Sequence, residues 1–143
     1  MKQPADLARK FLALADRDIN TFRLLAAIDE SDDEAVGFHA QQAIEKCIKA
    51  VLALHQIEFR KTHDIGELLD LLRDHERSLP PDSESLDTLD PFAVTLRYDL
   101  FEASSLDRDG AATSIANVRG WAEGELNPPR NAEEPQANNQ AQT

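Results

Sequence analysis

The chain has 143 residues, enough for one domain with its own core and hardly enough for two. Fifteen basic residues against 27 acidic ones give a net charge of −12, which excludes nucleic-acid binding through bulk charge and leaves only a local basic pocket for phosphate. Apolar residues make up 41%, an ordinary globular share, and abundant Leu and Ala with only five Gly and few aromatics favour helix over sheet.

The first predicted helix runs from about Pro4 to Ile28, with proline in its first turn and Leu7, Phe11, Leu14, Phe22 and Leu25 at helical spacing. Asp18 falls inside that stripe, where leucine would pack better. The acidic turn DESDDE follows, with its carboxylates placed to favour the next helix N-terminus. The second helix runs from about Asp33 to Ile57. At about 100° per residue, Ala40, Ile44, Cys47, Ile48 and Val51 share one side, Gln42, Lys46 and Ala53 lie opposite, and Glu45 and Lys49 sit on the flank. Read on spacing alone, this polar row is a solvated face. It carries a Glu45–Lys49 pair at i,i+4, worth about 0.2–0.5 kcal/mol, with Gln42 within reach of Lys46.

The third helix follows EFRKTHD, with Thr62 as its N-cap or Asp64 and Glu67 as a capping box. Its apolar face is Ile65, Leu68, Leu69 and Leu72, and RSLPPDSES stops it. The fourth spans about Ser85 to Phe101. Pro91 lies inside this pattern, so the helix is either kinked or begins near Asp90 with Pro91 in its first turn, and the second arrangement is preferred. The fifth runs from about Arg108 to Leu126. From Asn127 no large apolar residue remains, so residues 127–143 are expected to form a disordered tail beyond a bundle occupying residues 1–126. Short links between helices favour antiparallel neighbours, hence an all-α, up-and-down bundle.

The single cysteine, Cys47, excludes an intramolecular disulfide and is expected to be a buried small hydrophobe. No apolar h-region follows MKQPADLARK, and no run reaches the roughly 18 apolar residues of a membrane span. A cytoplasmic protein without membrane contact is the expectation. His39, His55, His63 and His75 form no HxxxH or HExxH pair, so no metal site is expected. No glycine-rich phosphate loop or nucleophile elbow occurs, and no cofactor is expected. Two patches stand out. His63 opens a helix beside Arg60, Lys61 and Asp64, which is either a solvated capping region or a phosphate-facing corner. Arg97 and Tyr98 sit in LRYDLFE, where the arginine could grip phosphate or pair with Asp18 or Glu45.

Taken together, Phe38, Gln41, Gln42, Ala43, Glu45, Lys46, Lys49 and Ala50, then Lys61-Thr62-His63-Asp64, a leucine-rich helix and Arg97-Tyr98 resemble the pattern of the HEPN domain family. The resemblance extends from about Leu7 to Leu126. It implies a helical bundle, often a homodimer, associated with nucleotide or RNA binding. It also implies pairing with a minimal nucleotidyltransferase, in some cases as toxin and antitoxin. The binding candidates it implies are Gln42, Glu45, Lys46, Lys49, Lys61, His63, Asp64, Arg97 and Tyr98.

Many HEPN members are metal-independent ribonucleases with an Arg followed, four to six residues on, by a His. In this chain YDLFEASSLDRDG follows Arg97 without a histidine, and only two residues separate Arg60 from His63. A His about one helical turn or more beyond an Arg returns to its side and can move a proton while the Arg steadies phosphate charge. Without it, Arg97 and His63 are the only catalytic candidates. The expectation is a non-catalytic binding module, with a homodimeric ribonuclease and a helical dimerisation scaffold as alternatives.

Overall fold

The computed structural model describes residues 3–93 and 105–128. Arg97, Tyr98, the end of the fourth predicted helix and nearly all of the predicted tail lie outside the described residues.

Helix α1 (Pro4–Ala26) and helix α2 (Asp33–Leu54) are joined by a short turn and pack along their length as a helical hairpin. Ala8, Leu12, Ala15 and Phe22 are the apolar contacts that α1 buries, and Asp18 is buried with them. The carbonyls at the end of α1 are closed from the far end of the chain. Arg108 donates to Leu25 O, Ala26 O and Ile28 O at 3.4, 3.3 and 2.9 Å and is held in place by Asp33.

Helix α3 (Ile65–Asp74), the short α4 (Ser83–Leu86), a 3₁₀ turn (Asp87–Leu89) and helix α5 (Arg108–Leu126) complete the described elements. α2 is the central helix, packed against α1, α3 and α5. A helix covered on three sides has no wet half to speak of. Fifteen of its 22 residues are buried, among them Gln41, Gln42, Glu45 and Lys49. The solvated-face expectation for this row is therefore wrong. Ala53, expected opposite the core, is buried too, because the core surrounds this helix.

Two helix ends use a left-handed residue without glycine. Gln56, at φ 58°, follows α2, and Glu76, at φ 55°, follows α3. In each case the next amide bonds back five residues, Ile57 N–H to Leu52 O and Arg77 N–H to Leu72 O, which is the Schellman ending. α2 therefore stops at Leu54, three residues short of the expected boundary. The proline question is settled as preferred. Residues 83–89 form two short turns, and helix resumes over residues 90–93 with Pro91 in its first turn. Phe92 lies against Gly37 of α2, where a Cβ would come within 2.4 Å of the ring. A glycine is required there because the new helix crosses α2 at that point. Among the described residues every regular element is helical, and no helix is long and apolar enough to cross a membrane.

A buried polar face on the central helix

The polar side chains of α2 divide into two groups facing different neighbours. On the α3 side, Glu45 is the centre, with its side chain 2% exposed. Its Oε2 accepts from Lys49 Nζ at 2.8 Å, and its Oε1 lies 2.9 Å from His63 Nδ1. Lys49 also donates to Thr62 O at 3.0 Å and stands 5.6 Å from the centre of the Phe59 ring. Its ammonium is thus satisfied by a carboxylate, a carbonyl and an aromatic face, which makes its burial affordable.

Gln41 and Gln42 stitch this cluster to the start of α3. Gln41 Nε2 donates to His63 O at 2.7 Å, and Gln42 Nε2 donates to Gln41 Oε1 at 2.7 Å. Among the described residues no buried side-chain nitrogen or oxygen lacks a partner. The expected reach from Gln42 to Lys46 does not occur. Gln42 turns toward Gln41, Glu45 and His63 instead.

The amino end of α3 is not an open anion corner. Asp64 caps it by accepting from Glu67 N–H at 3.0 Å, so of the two expected caps Asp64 is the one used. Thr62 accepts from Asp64 N–H, and the Glu67 carboxylate is taken by Arg60 rather than closing a capping box. Asp90 supplies a further carboxylate, accepting from Ile65 N–H at 2.9 Å. The helix amides that would have met phosphate are thus occupied by two aspartates. Burial pushes the Asp90 carboxyl up to about 6, against the opposing pull of its amide partners. What remains open at this corner is the outer edge of His63, whose side chain is 41% exposed, and the exposed Lys61 beside it.

This geometry gives His63 a definite chemical character. A carboxylate at Nδ1 holds the proton on that nitrogen in the neutral ring and leaves Nε2 as the acceptor. Such a ring can accept a proton or, when charged, donate to an anion.

On the α1 side, Asp18 explains why a leucine position carries an acid. Its Oδ1 lies 2.9 Å from His39 Nδ1, and its Oδ2 accepts from Lys46 Nζ. Lys46 therefore does not join Lys49 and His63 in one site, although the sequence grouped them. Asp18 and Glu45, the two acids considered as mates for Arg97, already hold a lysine and a histidine each. Cys47 is buried as expected, and burial pushes its thiol up to about 12, so it is no nucleophile. No group of three potential metal ligands exists among the described residues. The hollow of about 600 Å³ between the start of α1 and the end of α2 is lined by Leu7, Ala53, Ile57 and Phe59, among others, and carries no cation.

Sequence reading missed Asp90 and His39 as members of these clusters. Asp18 gave a signal, as an acid in an apolar stripe. Asp90 gave none, since nothing local shows that it reaches back to α3.

A helical hairpin whose central helix buries a lysine–glutamate–histidine cluster and leaves the histidine edge exposed defines an all-α bundle. The sequence model of the HEPN domain matches residues 8–123, and the chain belongs to that family. Its fold is similar to the crystal structure of an archaeal HEPN homologue, with a TM-score of 0.63 over 88% of this chain and 99% of the other at 23% identity. No curated protein matches the chain.

Proposed function

We propose that the protein is a binding module for the phosphate-bearing end of a nucleotide or RNA, acting as a homodimer and pairing with a minimal nucleotidyltransferase in a toxin–antitoxin type module. The observation that carries this reading is the edge of His63, oriented by the buried Glu45–Lys49 pair and standing beside Lys61. On a chain of net charge −12, a preorganised local donor set is the means by which phosphate is held. Asp64 and Asp90 act in this reading by fixing the corner, since their carboxylates are committed to the amides of α3. Arg97 and Tyr98, the remaining candidates that the family resemblance implies, lie outside the described residues. Location in the cytoplasm belongs to the same reading.

Calorimetric titration of the full chain with ATP and with a short RNA tests it, alone and with a minimal nucleotidyltransferase of the kind this reading calls for. Saturable binding supports the reading. No heat in either setting refutes it.

A second reading has its own observation. A carboxylate-oriented histidine is the arrangement of a general base, so His63 could take the place of the histidine missing after Arg97. It predicts RNA cleavage in EDTA that is lost in His63→Asn. RNA left intact after prolonged incubation removes it.

A further inference from the structure

The two polar clusters of α2 repeat one chemical plan. In each, a buried carboxylate spends one oxygen on a lysine and the other on a histidine Nδ1. The α3 side is Lys49–Glu45–His63, and the α1 side is Lys46–Asp18–His39. In both histidines Nδ1 is the nitrogen that meets the carboxylate, so Nε2 is the one left for a further partner. The α1 side differs in having a hollow in front of it. A cleft of about 310 Å³ between α1 and α2 is lined by Leu14, Arg17, Asp18, Thr21, His39 and Lys46.

Charge and shape decide what this cleft would take. Lys46 and Arg17 bring two cations against the one carboxylate of Asp18, so the neutral-histidine state is already net positive on a strongly acidic chain. Arg17 is exposed and makes no ion pair among the described residues, so its guanidinium fork is uncommitted. A metal cation is disfavoured, because the Asp18 oxygens already hold a lysine and a histidine. Leu14 gives the rim an apolar wall, and the volume is that of a small-ligand pocket.

We propose that the α1–α2 cleft is a second, separate anion site that takes the phosphate monoester of a small molecule. Arg17 and Lys46 meet the phosphate oxygens, His39 Nε2 donates to it in the charged ring, and Leu14 packs against the organic part. This assignment does not depend on the reading of the His63 side.

The test is nuclear magnetic resonance of the full chain with ¹⁵N-labelled histidine rings, titrated with inorganic phosphate and separately with adenosine 5′-monophosphate. The His39 ring is expected to shift saturably, with the monophosphate binding tighter than inorganic phosphate. Arg17→Gln, an exposed position that leaves the core untouched, is expected to weaken binding about tenfold through loss of a charge-assisted hydrogen bond. His63→Asn is expected to leave the His39 titration unchanged, which separates this site from the other. A His39 ring unmoved by both probes overturns the proposal. So do equal affinities for the two probes, an Arg17→Gln variant that binds as well as the natural chain, or a His39 titration lost in His63→Asn.

Discussion

Replacing Asp90 by asparagine isolates one titration from all others in the chain. The Asp90 carboxyl is held at about 6, against a reference value of 3.8, chiefly because the folded chain buries it. The difference, 6 − 3.8, is about two pKa units and corresponds to at most about 3 kcal/mol at 1.36 kcal/mol per unit, less solvent screening of a carboxyl that is only partly buried. The folded state therefore binds this proton more tightly than the unfolded chain. A group raised in this way contributes its full stability below about pH 4 and loses it as pH rises through about 6. Asp90→Asn keeps an oxygen to accept from Ile65 N–H and removes the charge. Urea denaturation of both proteins at a series of pH values cancels in the difference the titration of every group that Asp90 does not act on; Asp64, which faces it, is the exception. The stability of Asp90→Asn minus that of the natural chain is expected to rise by about 1–2 kcal/mol between pH 4 and pH 7. A difference that does not change with pH, or that falls, would refute the view that burial outweighs the amide bonds at this carboxylate.

Three further outcomes follow from packing and backbone geometry. Lys49→Ala strands the Glu45 charge inside the bundle, so stability at neutral pH should fall by about 3–5 kcal/mol by chemical denaturation. Gly37→Ala places a methyl against the Phe92 ring and should cost about 1–3 kcal/mol, with an amide-shift change at Ala93 that a remote helix substitution would not cause. Gln56→Gly relieves a left-handed residue at the end of α2 and should raise stability by up to about 1 kcal/mol, read as a higher melting temperature.

The existence, order and starts of the long described helices were legible because they rest on local chemistry. Proline at the start of α1, Asp64 before α3 and Pro91 after Asp90 each act within one turn of their own position. The burial of α2 was not legible from its own periodicity. Its polar side chains occupy the arc that a two-sided helix would turn to water, and only the packing of α1, α3 and α5 around it removes that arc from solvent. The candidate site was half legible. Spacing found the Glu45–Lys49 pair, and the family pattern brought His63 beside it. Neither could show that Lys46 crosses to Asp18, because the two residues are 28 apart in sequence and meet only through the α1–α2 hairpin. That the amides at the start of α3 are closed to an anion was hidden for the same reason, since Asp90 reaches α3 from 25 residues away.

The central claim is that the edge of the protein marked by Lys61 and His63 holds phosphate. Both side chains are exposed, and Lys49 still holds the buried Glu45 when the His63 ring is replaced, so a Lys61→Gln, His63→Asn double variant keeps the apolar core, with its fold checked by circular dichroism. Calorimetric titration of a short RNA into the natural chain and into this variant measures the claim directly. Saturable binding that weakens by about tenfold or more in the variant is the predicted result, as expected for the loss of two charge-assisted contacts. Equal affinity in the two proteins, or no binding by the natural chain, would contradict it.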